Sequence, residues 1–262
     1  KAQLAEKRAD VIVQPGTVDE LLAVIALAAR ERIPLTPRGA GTGNYGQGIP
    51  LQGGIVLNMR RLDQIVELTP TYARVQAGLI LHRLEQSARE VGAELRFYPS
   101  TLPTATAGGF LAGGSGGVGS VTWGTLWDEG NVLAATVATI EEEPRLLVID
   151  DPGELQGVIH SCGLTGIIVD LTFALAPAEP WQQYAVAFDT FEAALRCAEE
   201  MAKDERLAKR LVSVIEWPIP SYFGPLVKQD VCPDGKALLL LHLVAEPKRV
   251  RRAIEPFHGQ IT

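Results

Sequence analysis

The sequence predicts an α+β protein built in two parts, and three observations predict it. A capped amphipathic helix near the start is flanked by two short strand-like segments. Further β-branched or alternating segments follow up to residue 175, separated by two glycine-rich runs. At Ala176-Pro177-Ala178-Glu179-Pro180 the composition breaks, and a strand, helix, strand pattern begins again. The two expected domains are therefore residues 1–176 and 177–262.

Residues 10–13 read as a strand. Thr17-Val18-Asp19-Glu20 is a capping box: the Thr17 hydroxyl accepts from a free helix amide, and Glu20 reaches back. Leu21, Leu22, Val24, Ile25 and Ala28 then recur at helical spacing as far as Arg32. Residues 33–36 form the next strand, and the right-handed crossover rule makes the two strands a parallel pair. Residues 54–59 have strand composition, and residues 72–77 alternate like a strand covered on one face. Residues 81–91 form a helix ended by Gly92, whose His82, Arg83, Glu85, Arg89 and Glu90 read as a solvated face. Residues 99–124 hold many glycines and no periodicity. Two strands at 132–140 and 145–149 are joined by the acidic turn Glu141-Glu142-Glu143-Pro144, and residues 166–175 are the clearest late strand. In the second part, residues 184–188 form a strand. Asp189 with Glu192 caps a helix carrying Phe191, Ala194, Leu195, Ala198 and Met201, and residues 236–245 form a further strand. This reads as the opening of an α+β layer.

With 262 residues, 47% hydrophobic and 21% charged, the chain can bury a substantial core and does not have a disordered composition. A net charge of -7, with no basic run carrying interleaved aromatics, excludes nucleic acid as a general partner. Cys162, Cys197 and Cys232 are far apart and odd in number, as expected of free thiols in a reducing compartment. His82, His160, His242 and His258 form no metal-ligand spacing, so no metal is expected. No apolar run reaches the ~18 residues of a membrane span. Residues 1–10 are charged and no apolar signal segment follows, so a cytoplasmic location is expected.

Gly41-Thr42-Gly43-Asn44-Tyr45-Gly46 matches the dinucleotide pattern G-x-G-x-x-G, and Asp63 stands at the distance of its acidic ribose ligand. That pattern works by ending a strand and opening a helix whose N-terminus holds a pyrophosphate. Here Gln47, Gly48 and Pro50 lead to a strand, so no helix is available and Asp63 is coincidental. A P-loop is excluded because no Gly-Lys-Ser/Thr follows. Backbone amides of a glycine turn can themselves cradle an anion, with Arg38, Thr42 and Asn44 adding donors. From this loop alone, such a cradle and a plain surface loop are equally compatible. The second run, residues 101–119, interleaves Leu102, Phe110, Leu111 and Val118 with its glycines, which favours a functional segment over a linker.

Taken in order, these segments resemble a known family. They are Pro37-Arg38-Gly39-Ala40-Gly41-Thr42-Gly43, the strand 53–59, the Val75-Gln76-Ala77-Gly78 turn and residues 100–109 ending in Ala107-Gly108-Gly109. Trp123-Gly124 with Asp128, and Gly163-Leu164-Thr165-Gly166-Ile167-Ile168, complete the set. The family is that of flavin-dependent oxidoreductases with the vanillyl-alcohol-oxidase or p-cresol-methylhydroxylase (PCMH) type FAD-binding domain, around glycolate oxidase, D-lactate dehydrogenase and D-2-hydroxyglutarate dehydrogenase. The resemblance covers residues 10–175 and reaches Phe188-Asp189-Thr190-Phe191-Glu192-Ala193-Ala194, the entry to the family's cap. It implies a two-subdomain PCMH-type FAD-binding domain followed by the start of an α+β cap domain, most of which this chain lacks.

By this resemblance the cofactor is held by Pro37, Arg38, Gly39, Ala40, Gly41, Thr42, Gly43 and Asn44 of the first loop. Ser100, Thr101, Thr106, Gly108, Gly109, Ala112, Gly114, Gly117, Gly119 and Trp123 follow it along the second run, with Gly166, Ile167 and Ile168 beside the late strand. Some relatives attach FAD through a histidine in the first loop; Asn44 and Tyr45 stand here, which implies non-covalent FAD. Where relatives often read Gly-Ser-Glu-Gly, this chain has His160-Ser161-Cys162-Gly163. The implied reaction is hydride transfer from a small 2-hydroxy acid such as glycolate or D-lactate to flavin N5, with electrons passing to an acceptor subunit or quinone. His160 is the one candidate for a catalytic group, and a structural histidine is the competing reading. Tyr98 and Trp123 either border the cofactor or pack the core, and nothing marks the Cys162 thiolate as stabilised. Two alternatives stand beside this enzyme: an FAD-binding subunit without its own catalysis, and an NADPH-dependent enol reductase on the same fold, whose catalytic Ser or Tyr no segment here identifies.

Overall fold

The capping box closes at the first helix, α1 (Val18–Arg30): the Thr17 side chain accepts from Glu20 N at 3.1 Å. The Glu20 carboxylate returns one residue further than expected, to Gly16 N at 2.6 Å. This computed structural model describes Leu4 and residues 6–114, 116–231 and 233–262, so Ser115 of the second glycine run and Cys232 lie outside the described residues. The chain divides into two units, Lys1–Gly117 with Trp123–Ala178, and Val118–Thr122 with Glu179–Thr262. The division follows Ala178 because the last strand of the first unit runs through Pro177, and Ala178 N still donates to Gly92 O.

In the first unit, β1 (Val11–Val13) and β2 (Leu35–Arg38) flank α1 as the sequence predicts, but they are not partners. Both pair in parallel with β3 (Ile55–Asn58), which lies between them. The reason is hydrophobic: Ile55, Val56 and Leu57 are all buried, whereas Val11 and Ile12 are exposed, so the most apolar strand takes the centre. Leu21, Ile25 and Ala28 of α1 pack against Ile55 and Leu57.

The chain continues through β4 (Ile65–Leu68), β5 (Tyr72–Gln76), α2 (Leu81–Glu90), β6 (Ala93–Leu95), α3 (Ala107–Gly113) and α4 (Ser120–Trp123). Then come β7 (Val132–Ala138), β8 (Leu146–Ile149), α5 (Pro152–Leu155) and β9 (Ile167–Pro177). The second sheet runs β4-β5-β9-β7-β8, antiparallel throughout, with β6 pairing the far end of β9. Of the α2 face read as solvated, His82, Arg83, Arg89 and Glu90 are exposed, but Glu85 is buried with Leu81, Leu84 and Ala88 and accepts from Leu95 N at 2.8 Å. The run 99–124, read as aperiodic, contains α3 and α4.

β9 carries an irregularity on which the unit is built. Against β7 its register jumps from Asp170, opposite Thr136, to Ile168, opposite Val137, so Val169 is an extra residue. The bulge resets the alternation. Ile167 and Val169 join the core under α1, whereas Ile168, Leu171, Phe173 and Leu175 join the larger core under α2 and α3. Next to the bulge, Asp170 accepts from Arg74 Nε and Nη2 at 2.8 and 3.0 Å and from Thr136 Oγ1 at 3.0 Å. This bidentate pair fixes the β5-β9-β7 register, and it raises the Arg74 pKa, through the hydrogen bond first and then the Asp170 charge. On the β5 side the Val169 carbonyl continues the β5-β9 ladder, accepting from Ala77 N at 2.9 Å, and Ala77 O in turn accepts from Gly108 N at 2.8 Å. β9 therefore holds the start of α3 through the end of the β5 ladder.

The second unit contains β10 (Gln182–Phe188), α6 (Phe191–Lys203), β11 (Lys209–Ile215), α7 (Gly224–Lys228), β12 (Ala237–Leu243), α8 (Pro247–Ile254) and β13 (Gln260–Ile261). Its antiparallel sheet runs β11-β12-β10-β13. Val186, Phe188, Leu239 and Leu241 of the sheet meet Ala194, Cys197 and Met201 of α6 and Val250 and Ile254 of α8, so this unit closes a core of its own. Burial pushes the Cys197 thiol up to about 11, as expected of an inert core cysteine. The α6 cap is Thr190, which accepts from Ala193 N at 3.2 Å; Asp189, expected there, is instead paired with Lys236. Residues 118–122 belong to this unit because Gly119 N donates to Arg210 O and Thr122 Oγ1 to Lys209 O. Among the described residues, no helix is long and apolar enough to cross a membrane.

Leu171 is fully buried in the larger core beside the bulge. Leu171→Ala is expected to destabilise the first unit by about 2–5 kcal/mol, read as a lower urea midpoint with an unchanged slope.

Candidate functional site

The site starts where β2 ends. Pro37 and Arg38 still pair with β3, and Gly39 turns the chain out of the sheet. Gly39 is where two segments meet: a Cβ there would fall 2.0 Å from Thr106 Oγ1. Thr106 is buried and caps α3 by accepting from Gly109 N at 3.3 Å. The first loop and the start of α3 thus touch through a glycine and a capping hydroxyl. Gly41 has φ +70, and a Cβ would fall 2.6 Å from Arg38 Nη2, so the guanidinium folds back over its own loop. Gln47 joins the two glycine runs from the middle. Its side chain lies against both Gly43 and Gly113, and Oε1 accepts from Tyr45 N at 3.2 Å.

Between these segments lies a cleft of about 730 Å³, within the first unit. The whole predicted run 37–44 lines it, together with Ser100, Thr101, Thr106, Gly109, Ala112 and Gly114. The structure adds Tyr45, Gly46, Gln47, Gly48 and Ile49, then Pro99, Ala105, Phe110 and Gly113, and also Leu4, Cys162 and Gly163. In sequence, Gln47 and Ile49 carried no signal beyond their place in a glycine-rich loop. Cys162 and Gly163 arrive from a distant segment, held by the bond from Cys162 N to Ala112 O at 2.8 Å.

Other predicted site residues are placed elsewhere. Gly108 sits against Ala77, Gly117 against the Tyr98 carbonyl and Gly166 against the Val137 side chain and the Ala138 carbonyl, three close approaches within the first unit. Ile167 and Ile168 are buried at the start of β9, on opposite cores. Trp123 lies under Arg96, whose guanidinium carbon is 4.6 Å from the ring centroid, and Gly119 is in the second unit. Burial holds the Arg96 pKa below its ordinary value. His160 does not line the cleft; its ring stacks on Trp127 at 5.1 Å and its Nδ1 is buried without a described partner.

The electrostatics of the cleft differ from those of the chain. The protein carries a net charge of -7, yet the described lining contains Arg38 and no Asp or Glu. Among the described residues, the amides of Ala40 to Asn44 make no hydrogen bond, so they are free to act as donors. Thr42, Asn44, Ser100 and Thr101 add polar side chains, and Ile49, Ala105 and Phe110 add apolar wall. Donors without competing carboxylates, a cation and glycines where a Cβ would fill the space suit an extended ligand with a phosphate-rich centre. A dinucleotide cofactor such as FAD fits this donor set.

Comparison with known proteins agrees. A family model described as an FAD binding domain matches residues 9–142. The glycolate oxidase subunit GlcD of Escherichia coli K12 is 31% identical over 192 residues, covering 70% of this chain and 38% of that protein. The D-lactate dehydrogenase of Archaeoglobus fulgidus is 28% identical over 224 residues, covering 79% and 49%. The chain therefore spans less than half the length of these relatives. Two crystal forms of alkyldihydroxyacetonephosphate synthase share its fold, with TM-scores of 0.73 and 0.76 at 20% identity, covering 95% of this chain and about half of theirs.

Gly39→Ala is expected to weaken FAD binding by more than about tenfold, since a methyl group at Thr106 Oγ1 must displace loop or cap. Flavin fluorescence titration measures the loss, and an unchanged urea midpoint shows that the cores remain intact. The acid-free glycine cleft, the matching family model and the shared fold coincide in the same residues: the chain belongs to the FAD binding domain family, and FAD is its cofactor.

Proposed function

We propose that this chain holds FAD non-covalently and forms the FAD-binding part of an oxidoreductase that oxidises a small 2-hydroxy acid such as glycolate or D-lactate. The observation that carries the reading is the cleft itself, glycine-lined, with Arg38 and no carboxylate, in a chain 31% identical to a glycolate oxidase subunit. Bound there, FAD supplies the acceptor for the hydride that leaves the carbon bearing the substrate hydroxyl. The chain's own residues bind and orient it. Arg38 and the amides of residues 40–44 offset the pyrophosphate charge, Thr42 and Asn44 fix its direction, and Phe110 and Ala105 keep water from one wall. The loop offers no histidine beside Gly43, which supports non-covalent attachment.

A second reading is favoured by one observation. The described lining contains no Asp, Glu, His or Lys, so no carboxylate, imidazole or amine base faces the cleft there, only the Tyr45 hydroxyl and the Cys162 thiol. An FAD-binding subunit that passes electrons to an acceptor subunit or quinone, with the base supplied from outside this chain, accounts for that.

Anaerobic titration of the FAD-loaded chain with glycolate, D-lactate and D-2-hydroxyglutarate separates the readings. Bleaching of the flavin band near ~450 nm by one of them supports the oxidoreductase, whereas a full flavin spectrum that none of them bleaches supports the subunit. A reconstituted chain without flavin absorbance overturns both. Acid precipitation is expected to release all flavin to the supernatant, and flavin retained on the precipitate overturns non-covalent attachment.

A further inference from the structure

Gln47 occupies the seam between the two glycine runs, and both runs make room for it. A Cβ at Gly43 would fall 2.8 Å from Gln47 Nε2 and 2.9 Å from Cδ and Oε1, so the carboxamide lies flat over Gly43. A Cβ at Gly113, the last residue of α3, would fall 2.9 Å from Nε2 but 3.9 Å from Cδ, so the amide turns its nitrogen end toward α3. Neither glycine has a left-handed φ; what requires glycine at both positions is the Gln47 side chain. The loop fixes the orientation of the amide. Oε1 accepts from Tyr45 N at 3.2 Å, a bond that the amide nitrogen cannot make. The Nε2 hydrogens make no hydrogen bond among the described residues, and the atom is not sealed away from the cleft that Gln47 lines. Two residues earlier the arrangement recurs with a charge. The Arg38 guanidinium lies over Gly41, its stem runs beside Gly48, and among the described residues it has no ion pair. The two glycines of Gly41-Thr42-Gly43 thus seat two donor side chains, one charged and one neutral.

We propose that Gln47 is a cofactor-binding residue whose Nε2 donates to the diphosphate of FAD. The inference rests on FAD as the occupant of the cleft. The acceptor end of the amide is committed to Tyr45 N, so turning the amide over would break that bond, and the end left for a ligand is a donor. A ligand that takes it must bring an acceptor, and the diphosphate is the part of FAD richest in acceptors. The donor also stands between residue 43 and the end of α3, the two segments whose glycines line the cleft. Holding the loop does not by itself explain glutamine. A carboxylate of the same length would accept from Tyr45 N more strongly, because a charged acceptor makes the stronger hydrogen bond. In a chain with 31 acidic residues, the cleft keeps an amide where a carboxylate would serve the loop better. What the amide adds is a donor and the absence of negative charge, and both matter only to an anion.

The test is FAD affinity by flavin fluorescence titration of the 262-residue chain, in the wild type, Gln47→Met and Gln47→Glu. The urea midpoint of each flavin-free chain is the second readout. Gln47→Met keeps the length of the side chain and loses both polar ends. It is expected to weaken FAD binding about tenfold, as for a lost hydrogen bond to a charged group. Gln47→Glu keeps the acceptor for Tyr45 N and sets a charge where the donor stood. Its midpoint is expected to stay at the wild-type value, while FAD binding near neutral pH weakens by about a hundredfold. That loss is expected to shrink as the pH falls toward about 5, where the introduced carboxyl takes up a proton and donates again, with wild-type affinity level over the same range. A residue that only props the loop gives the reverse order: Gln47→Glu binds FAD like the wild type, and Gln47→Met alone is weakened. That order, equal affinity in all three chains, or a loss in Gln47→Glu that pH leaves unchanged overturns the proposal. A wild-type chain that binds no FAD overturns the cofactor itself.

Discussion

The extra residue at Val169 is the constraint from which the rest of the first unit follows. A regular strand of eleven residues would send Ile167, Val169, Leu171 and Phe173 to one face and leave the other without matching side chains. The bulge divides them, so that one strand supplies both cores. On its other side Val169 continues the β5-β9 ladder, where its carbonyl accepts from Ala77 N. Ala77 pairs it, Gly108 pairs Ala77, and the first turn of α3 is fixed as a result. Thr106, held by that turn, then sets how closely the Gly39 loop can approach. The start of α3, and with it the cap that meets Gly39, is therefore tied to a strand residue about 50 positions beyond the second glycine run and about 125 beyond the first.

The cleft also shows how an acidic protein binds an anion. No strong positive patch is needed if carboxylates are kept away and backbone amides are left unpaired, because each amide is a fixed dipole that requires no counter-charge. Glycine serves this purpose twice, by allowing a positive φ at Gly41 and by allowing contact with Thr106 at Gly39.

Much of this could be read from the chain. The Thr17 cap, the α1 stripe and the late strand follow from local chemistry, and local chemistry survives folding. The loop 37–44 alone fitted a cradle and a plain surface loop equally, and it became readable only together with the second glycine run and the ordered resemblance to a known family. What was hidden depends on tertiary contacts. α3 has the sequence Ala-Gly-Gly-Phe-Leu-Ala-Gly, whose helix propensity is low, and it is helical because Ala107 and Gly108 bond Leu79 and Ala77. β3 lies between β1 and β2 because of burial, which no crossover rule contains. Gln47 and Cys162 reach the cleft through backbone paths that leave no periodic trace. Glycines at 108, 117 and 166 look like ligand contacts in sequence but serve close packing, because the same absence of a side chain answers both needs.

The partition of the chain has a consequence for how it is made. Residues 118–122 take their hydrogen-bond partners from Lys209 and Arg210, about ninety positions later. On the ribosome, everything between Trp123 and Ala178 can emerge and fold while that short segment still waits for its strand. The second unit therefore closes last: its segment 118–122 is made first, and the strand that receives it arrives about ninety residues later.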